Sequence, residues 1–243
     1  MCKAADHERL NYAGQREAAI VKEFLRRAHH YSGDVTASLT LLPDTDWIEW
    51  LALMQHHGAP TRLLDWTYSL QVAMYFAWKH ARDDGSDLAI WMIDTKWCWN
   101  AAMAVCADKG IDMSSMANRP IRAVARRTAY DKLFSGDLPP SVWPVNPFRL
   151  NQRLTIQRGV FLMAADVTKA LAQSLSSLTG YEDEANLVCL RIDSSEADKV
   201  YDALREANIT EATLFPGLDG FARSLWPRAR SLDIENLKTL HDI

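Results

Sequence analysis

Thirteen consecutive residues, Gln55-His56-His57-Gly58-Ala59-Pro60-Thr61-Arg62-Leu63-Leu64-Asp65-Trp66-Thr67, carry more reactive side chains than a chain reversal needs. Gly, Pro, Asn or Asp suffice to turn a backbone, so the two imidazoles, carboxamide, guanidinium, carboxylate and indole are the composition of a site. Each has a definable chemistry. His56, beside Gln55, can act as acid, base or hydrogen-bond donor, and Arg62 offers a planar donor fork suited to phosphate or carboxylate. Asp65 can orient a hydroxyl or an imidazole, Trp66 can stack on a planar ring such as a nicotinamide or a base, and Thr67 closes the loop. The bland alternatives are equally concrete: Arg62 and Asp65 pair to lock the turn, and His57 caps a helix end or faces solvent. Adjacent histidines point in different directions, so no metal site is expected.

Two further places can contribute. Gln157, with Arg158 beside it, precedes Gly159 and an apolar strand, so its amide can reach a ribose hydroxyl at a sheet edge while Gly159 lets a ligand approach the backbone. The alternative is a solvated strand-start residue. Tyr75 sits at core spacing in a helix, where packing is the default and lining a pocket the functional reading. Core positions are expected for Trp47 and Trp91. Arg122, Arg126, Arg127 and Lys132 form a basic cluster read as a solvated face, or as a seat for a phosphate or an acidic partner.

The elements that position these residues follow from periodicity. Gln15 to Tyr31 reads as an amphipathic helix, and Asp44 and Asp46 precede a second helix whose apolar stripe, Trp47 to Met54, delivers Gln55 and His56 to the turn. A third, apolar helix runs from Ser69 to His80. Asp83 to Asp87 is a turn, followed by Leu88 to Ile93, a continuous apolar run suited to a central strand. Lys96 to Val145 reads as a helical insertion plus an ordered, Pro-rich loop. Strands are expected at Gly159 to Met163 and Ala185 to Ile192, and helices at Ser194 to Asn208 and Leu218 to Trp226. Phe215-Pro216-Gly217 is a turn into the last of these.

Composition narrows the classes. The chain has 243 residues, 48% of them hydrophobic, enough for a sizeable core in what is expected to be one domain. A formal charge of -4 leaves no bulk basic field for non-specific binding of nucleic acid. No apolar run approaches a membrane span, and the expectation is a cytoplasmic protein without membrane partners. The four cysteines, Cys2, Cys98, Cys106 and Cys189, lack zinc or disulfide spacing and read as reduced thiols. A Gly-rich phosphate loop, a nucleophile elbow and a Cys-His pairing are absent as patterns, which disfavours those hydrolase classes.

The block Gln55 to Thr67, followed by Val72-Ala73-Met74-Tyr75-Phe76-Ala77, resembles the central motif of the FRG domain family. Arg153 to Phe161 and Ala212 to Gly220 resemble two later blocks, so the resemblance runs from about Glu17 to Trp226. One departure stands out: the Phe-Arg-Gly element itself is missing, since Asn11-Tyr12-Ala13-Gly14-Gln15 has no Arg between the aromatic and the Gly. Either the chain is truncated upstream or this member has lost the motif. The family's order of elements distantly resembles ADP-ribosyltransferases, which place an Arg or His on a first strand, an aromatic or Ser/Thr block leading into a helix, and a Glu or Gln at a later strand.

The resemblance implies a single α+β domain over residues 1–243, with a small mixed or antiparallel sheet flanked by helices and a helical insertion at about 96–145. It implies an ADP-ribosyltransferase-like or other nucleotide-handling activity, with NAD as the candidate substrate, in bacterial stress or phage defence. Asp65, Gln157 and His56 are then the catalytic candidates, and Gln55, Arg62, Trp66, Thr67, Tyr75 and Arg158 the substrate-binding ones, acting on a small nucleotide or a protein target. The alternative is a non-catalytic ligand or protein interaction module, which loss of the Phe-Arg-Gly element favours.

Overall fold

A computed structural model describes residues 2–31, 47–80, 86–113, 138–147 and 152–225. The architecture is α+β, with many helices and, among the described residues, two small sheets. Contacts sort the chain into two compact units, residues 1–65, 92–149 and 161–188 in the first and 66–91, 150–160 and 189–243 in the second.

The first unit contains helix α1 (Cys2–Arg27), α2 (Trp47–His56), α4 (Thr95–Asp108), strand β3 (Val142–Val145) and α6 (Leu171–Ser176). Strand β4 (Gly159–Ala164) supplies its centre, with Phe161, Leu162 and Met163 all buried. β3 pairs antiparallel with β4, placing Trp143 opposite Met163 and Pro144 opposite Leu162. Residues expected to form a Pro-rich loop are therefore a strand. Pro144 has no N–H to give a ladder, and β3 tolerates it because it lies at the sheet edge, in the order β1 (Leu63–Thr67), β4, β3. Trp143 is fully buried, its indole N–H donating to Ser141 Oγ at 3.0 Å. α4 lays Cys98, Ala101, Ala102 and Cys106 on β3, small residues that let the helix approach closely enough for Trp99 to meet Trp143 edge to face at 5.3 Å.

Helix α1 begins well before Gln15, where the sequence places its start. It is tied to α2 by Phe24 against Trp50, and α2 buries Ile48, Leu51, Ala52 and Met54 as its stripe predicts. The acidic cap read at Asp44 and Asp46, the turn at 83–85 and the basic cluster Arg122 to Lys132 lie outside the described residues, as do 114–137 of the expected insertion.

The second unit is built on α3 (Leu70–Lys79). Ser69 caps it by accepting from the Val72 N–H, a local signal that sets the start of the helix. Val72 and Tyr75 pack with Leu204 of α7 (Ala197–Glu206) and Leu214 of α8 (Glu211–Leu214), and Trp78 stacks on Tyr201 at 4.1 Å. The same helix leaves Leu70 exposed, so it is amphipathic rather than wholly buried. α5 (Gln152–Ile156) and α9 (Leu218–Arg223) complete the unit.

Strands β1 (Leu63–Thr67), β2 (Leu88–Ile93), β4 and β5 (Leu187–Ile192) each contain a point where the chain passes from one unit to the other. Two expectations are corrected here. The second half of the polar block, read as loop, is strand β1. β2, read as a central strand, pairs among the described residues with β5 alone in a two-stranded sheet, and Trp91, expected in the core, is 54% exposed. Trp47 is half-buried.

Candidate functional site

The polar block divides between the units. Gln55, His56, Arg62 and Asp65 belong to the first; Trp66, Thr67, Tyr75, Gln157 and Arg158 belong to the second.

In the first unit Arg62 is the most committed of these residues. Its side chain is 4% exposed, and its Nε donates to the two carboxylate oxygens of Glu17 at 2.8 and 2.9 Å while a terminal nitrogen closes the bidentate pair. Its other terminal nitrogen points at the carbonyls of Ala164 and Ala165, at 3.4 and 3.3 Å. The carboxylate that clasps Arg62 therefore comes from α1, forty-five positions away, rather than from Asp65, which is exposed on β1. A fork so placed fixes α1 against the end of β4. Gln55 and Thr61 hydrogen-bond each other across the turn, with the Thr61 hydroxyl donating to the Gln55 carbonyl oxygen. His56 and His57 are exposed at the end of α2 with their rings edge to face.

In the second unit, Thr67, Tyr75 and Gln157 gather around α8. The Thr67 hydroxyl donates to the backbone carbonyl of Gln157 at 2.6 Å and accepts from the Ser69 N–H at 3.0 Å, which joins β1, the start of α3 and the turn after α5. Gln157 is buried rather than solvated, and its amide nitrogen donates to the Leu214 carbonyl at 3.0 Å. Arg158 follows with φ 50°, a left-handed conformation that ends α5, and its carbonyl accepts from the Tyr68 N–H. Its side chain is exposed, and Trp66 is half-buried.

Three residues that the sequence did not single out, Glu211, Lys79 and Arg223, join Tyr75 in the polar centre of this unit. Glu211, 7% exposed, opens α8, where Thr210 makes a reciprocal cap with Thr213. Its carboxylate accepts from the Tyr75 hydroxyl, from Lys79 Nζ at 2.9 and 2.8 Å and from Arg223 Nε at 3.0 Å. Burial by itself raises a carboxyl's pKa, but the bonds from Lys79 and Tyr75 and the Lys79 charge outweigh it and hold Glu211 below the usual range. The Tyr75 phenol moves the other way, pushed up first by burial and then by its bond to Glu211. The centre is thus an ionised carboxylate facing a neutral phenol and two cations.

Beside it lies Phe215, the residue after α8. Lys79 Nζ stands 4.6 Å from its ring centroid, the Arg153 guanidinium carbon 4.7 Å and that of Arg223 5.6 Å. Arg223 arrives on α9, which approaches so closely that a Cβ on Gly220 would fall 1.7 Å from the Phe215 carbonyl oxygen. Glycine is obligatory there for steric reasons. A faint local signal existed: Lys79 follows Tyr75 by four residues on one helix face, and Glu211 immediately precedes the block noticed at Ala212.

Among the described residues no group of three or more His, Cys, Asp or Glu side chains is spaced to hold a metal, and no helix is long and apolar enough to cross a membrane. No curated protein and no solved structure matches the chain. The family model of the FRG domain matches residues 4–86, a stretch that contains Glu17, the polar block and α3 but ends before Gln157 and Glu211. That match falls on the block that carries the resemblance, and it makes this chain an FRG domain-containing protein.

Proposed function

We propose that this protein handles a nucleotide in the manner of an ADP-ribosyltransferase acting on NAD, and that the second unit carries the polar centre of that activity. The observation that supports this reading is Glu211, a buried carboxylate kept ionised between a phenol and two cations, with Gln157 on the same short helix's last carbonyl. Transfer from NAD breaks the bond between ribose and nicotinamide and builds positive charge on the ribose. A carboxylate fixed in advance stabilises such charge without reorganising. Trp66 and Arg158 in this unit are the further substrate contacts of the proposal, on the strength of their side-chain chemistry, whereas Gln55, His56, Arg62 and Asp65 belong to the first unit. Cytoplasmic action in bacterial stress or phage defence belongs to the same reading.

The test is titration calorimetry of the full chain with NAD and with ADP-ribose, beside chromatographic detection of released nicotinamide. Binding of both and release that falls on the order of 100-fold in Glu211→Gln, with fold checked by circular dichroism, supports the reading. Absence of heat with either nucleotide in the folded chain overturns it. A second reading, a non-catalytic recognition module, is favoured by one fact: Arg62, Gln157 and Glu211 all spend hydrogen bonds on partners within the chain. ADP-ribose binding without any nicotinamide release selects that reading.

A further inference from the structure

Three cations and one carboxylate meet at Phe215. Lys79, Arg153 and Arg223 each stand within 6 Å of the ring centroid, and Glu211 alone supplies negative charge to Lys79 and Arg223 among the described residues. Arg153 has the ring and no ion-pair partner among those residues. Arg223 uses its Nε on Glu211, and among the described residues its terminal amino groups carry no hydrogen bond. This surplus of positive charge is local, because the chain as a whole carries a formal charge of -4.

Like charges held around one half-buried ring repel, and a fold keeps them together at a cost unless an anion joins them. The side chains are neither sealed nor fully solvated: Lys79 is 32% and Arg223 52% exposed, which leaves a ligand able to reach them while part of their charge is already desolvated. Two guanidinium forks and an ammonium suit the oxygens of a phosphate better than a single carboxylate, because each fork can bond two oxygens at once. The placement is also anchored. Arg153 is held by α5, whose C-terminal turn is fastened by Gln157 to Leu214, and Arg223 by α9, packed backbone to backbone through Gly220.

We propose that Lys79, Arg153 and Arg223 form a seat for a phosphate or diphosphate group beside Phe215. The seat deepens the nucleotide reading, and rests on it for the identity of the natural ligand but not for the binding of the anion. Glu211 is a positioning residue here, since it holds Lys79 and Arg223 in place.

The experiment is calorimetry of the full chain with inorganic pyrophosphate and, separately, with ADP-ribose. The chains compared are wild type, Arg153→Ala, Arg153→Lys and, as a control on an exposed helix face, Arg205→Ala. Among the described residues Arg153 has the Phe215 ring and no ion pair, so its variants are expected to fold, as circular dichroism would verify. Pyrophosphate binding that weakens about tenfold or more in Arg153→Ala, partly returns in Arg153→Lys and is unchanged in Arg205→Ala supports the seat. The same dependence with ADP-ribose supports both the seat and the nucleotide reading. Arg153-dependent pyrophosphate binding with no ADP-ribose binding keeps the seat and overturns the nucleotide reading. No pyrophosphate binding by wild type, or binding indifferent to Arg153, overturns the seat whatever ADP-ribose does.

Discussion

Glu17→Gln should cost this protein more stability than a neutral swap of any exposed charge among the described side chains of α1. The substitution leaves the Arg62 guanidinium, 4% exposed, without the carboxylate that accepts its Nε at 2.8 and 2.9 Å. Breaking a buried pair by removing one partner costs about 3–5 kcal/mol, because the remaining charge is stranded. Two features pull the expectation to the lower end. The Glu17 side chain is 15% exposed, so water can enter from its side, and Arg62 keeps its approach to the Ala164 and Ala165 carbonyls. About 3 kcal/mol, at roughly 2–4 °C per kcal/mol for a chain of this size, lowers the melting temperature by about 6–12 °C.

Thermal melts followed by circular dichroism measure this, and a double-mutant cycle isolates the pair. Arg62→Met should be costly on its own, but Glu17→Gln combined with Arg62→Met should lose less than the sum, with a coupling of about 1.5 kcal/mol or more. A Glu17→Gln protein that melts within 1 °C (about 0.3–0.5 kcal/mol) of wild type would refute the reasoning. The outcome bears on function, since a loss of ligand binding in Arg62→Ala means something only if α1 is still seated.

Other consequences can be checked on the same material. Stability should fall at both ends of the pH range. Glu211, with its pKa lowered from 4.5, contributes stability above that value that is lost as pH drops through its folded pKa. Tyr75, with its pKa raised, contributes stability below about pH 10 that is lost as pH climbs beyond it, at up to about 1.4 kcal/mol per pH unit. Tyr75→Phe should flatten the alkaline limb of a denaturation series by one proton, and an unchanged limb would contradict the burial of its hydroxyl. Gly220→Ala places a methyl 1.7 Å from the Phe215 carbonyl and should unseat α9, costing well over about 2 kcal/mol by urea titration, whereas a silent substitution would mean the helix packs elsewhere. Arg158→Gly relieves a left-handed residue at φ 50° and should stabilise by up to about 1 kcal/mol. Cys98, with its thiol pushed up to about 12 by burial and then by Asp94, should resist alkylation at neutral pH until the chain unfolds, and rapid labelling would place it outside the core.

What the sequence could reveal depended on the range of each interaction. Helix α3 was legible because its cap at Ser69 and its apolar positions Val72 and Tyr75 lie within two turns. Strand β1 was not, because its alternation is masked by Asp65 and Trp66, side chains that also suit a loop. β3 was hidden by Pro144, which reads as a breaker unless the strand is known to be an edge. Thr67, Tyr75 and Gln157 were picked out for their chemistry, yet the partner that organises Tyr75, Glu211, lies 136 positions away, and Lys79 is 132 from it. No periodicity carries such a contact. The same distance problem hid Glu17 from Arg62, for which the nearby Asp65 offered a shorter-range partner.

The contact at Gly220 has a consequence for anyone who would move this arrangement into another protein. Copying Lys79, Arg153, Glu211, Phe215 and Arg223 as side chains onto a new helix pair would not reproduce it, because Arg223 reaches the ring only where two backbones nearly touch. The spacing is set by an atom that is missing, the Cβ of Gly220. A transplant would have to carry that glycine and the carbonyl it faces as part of the motif, and a search for equivalent arrangements in other chains would do better to look for a helix with glycine two residues after its start than for the charges it brings.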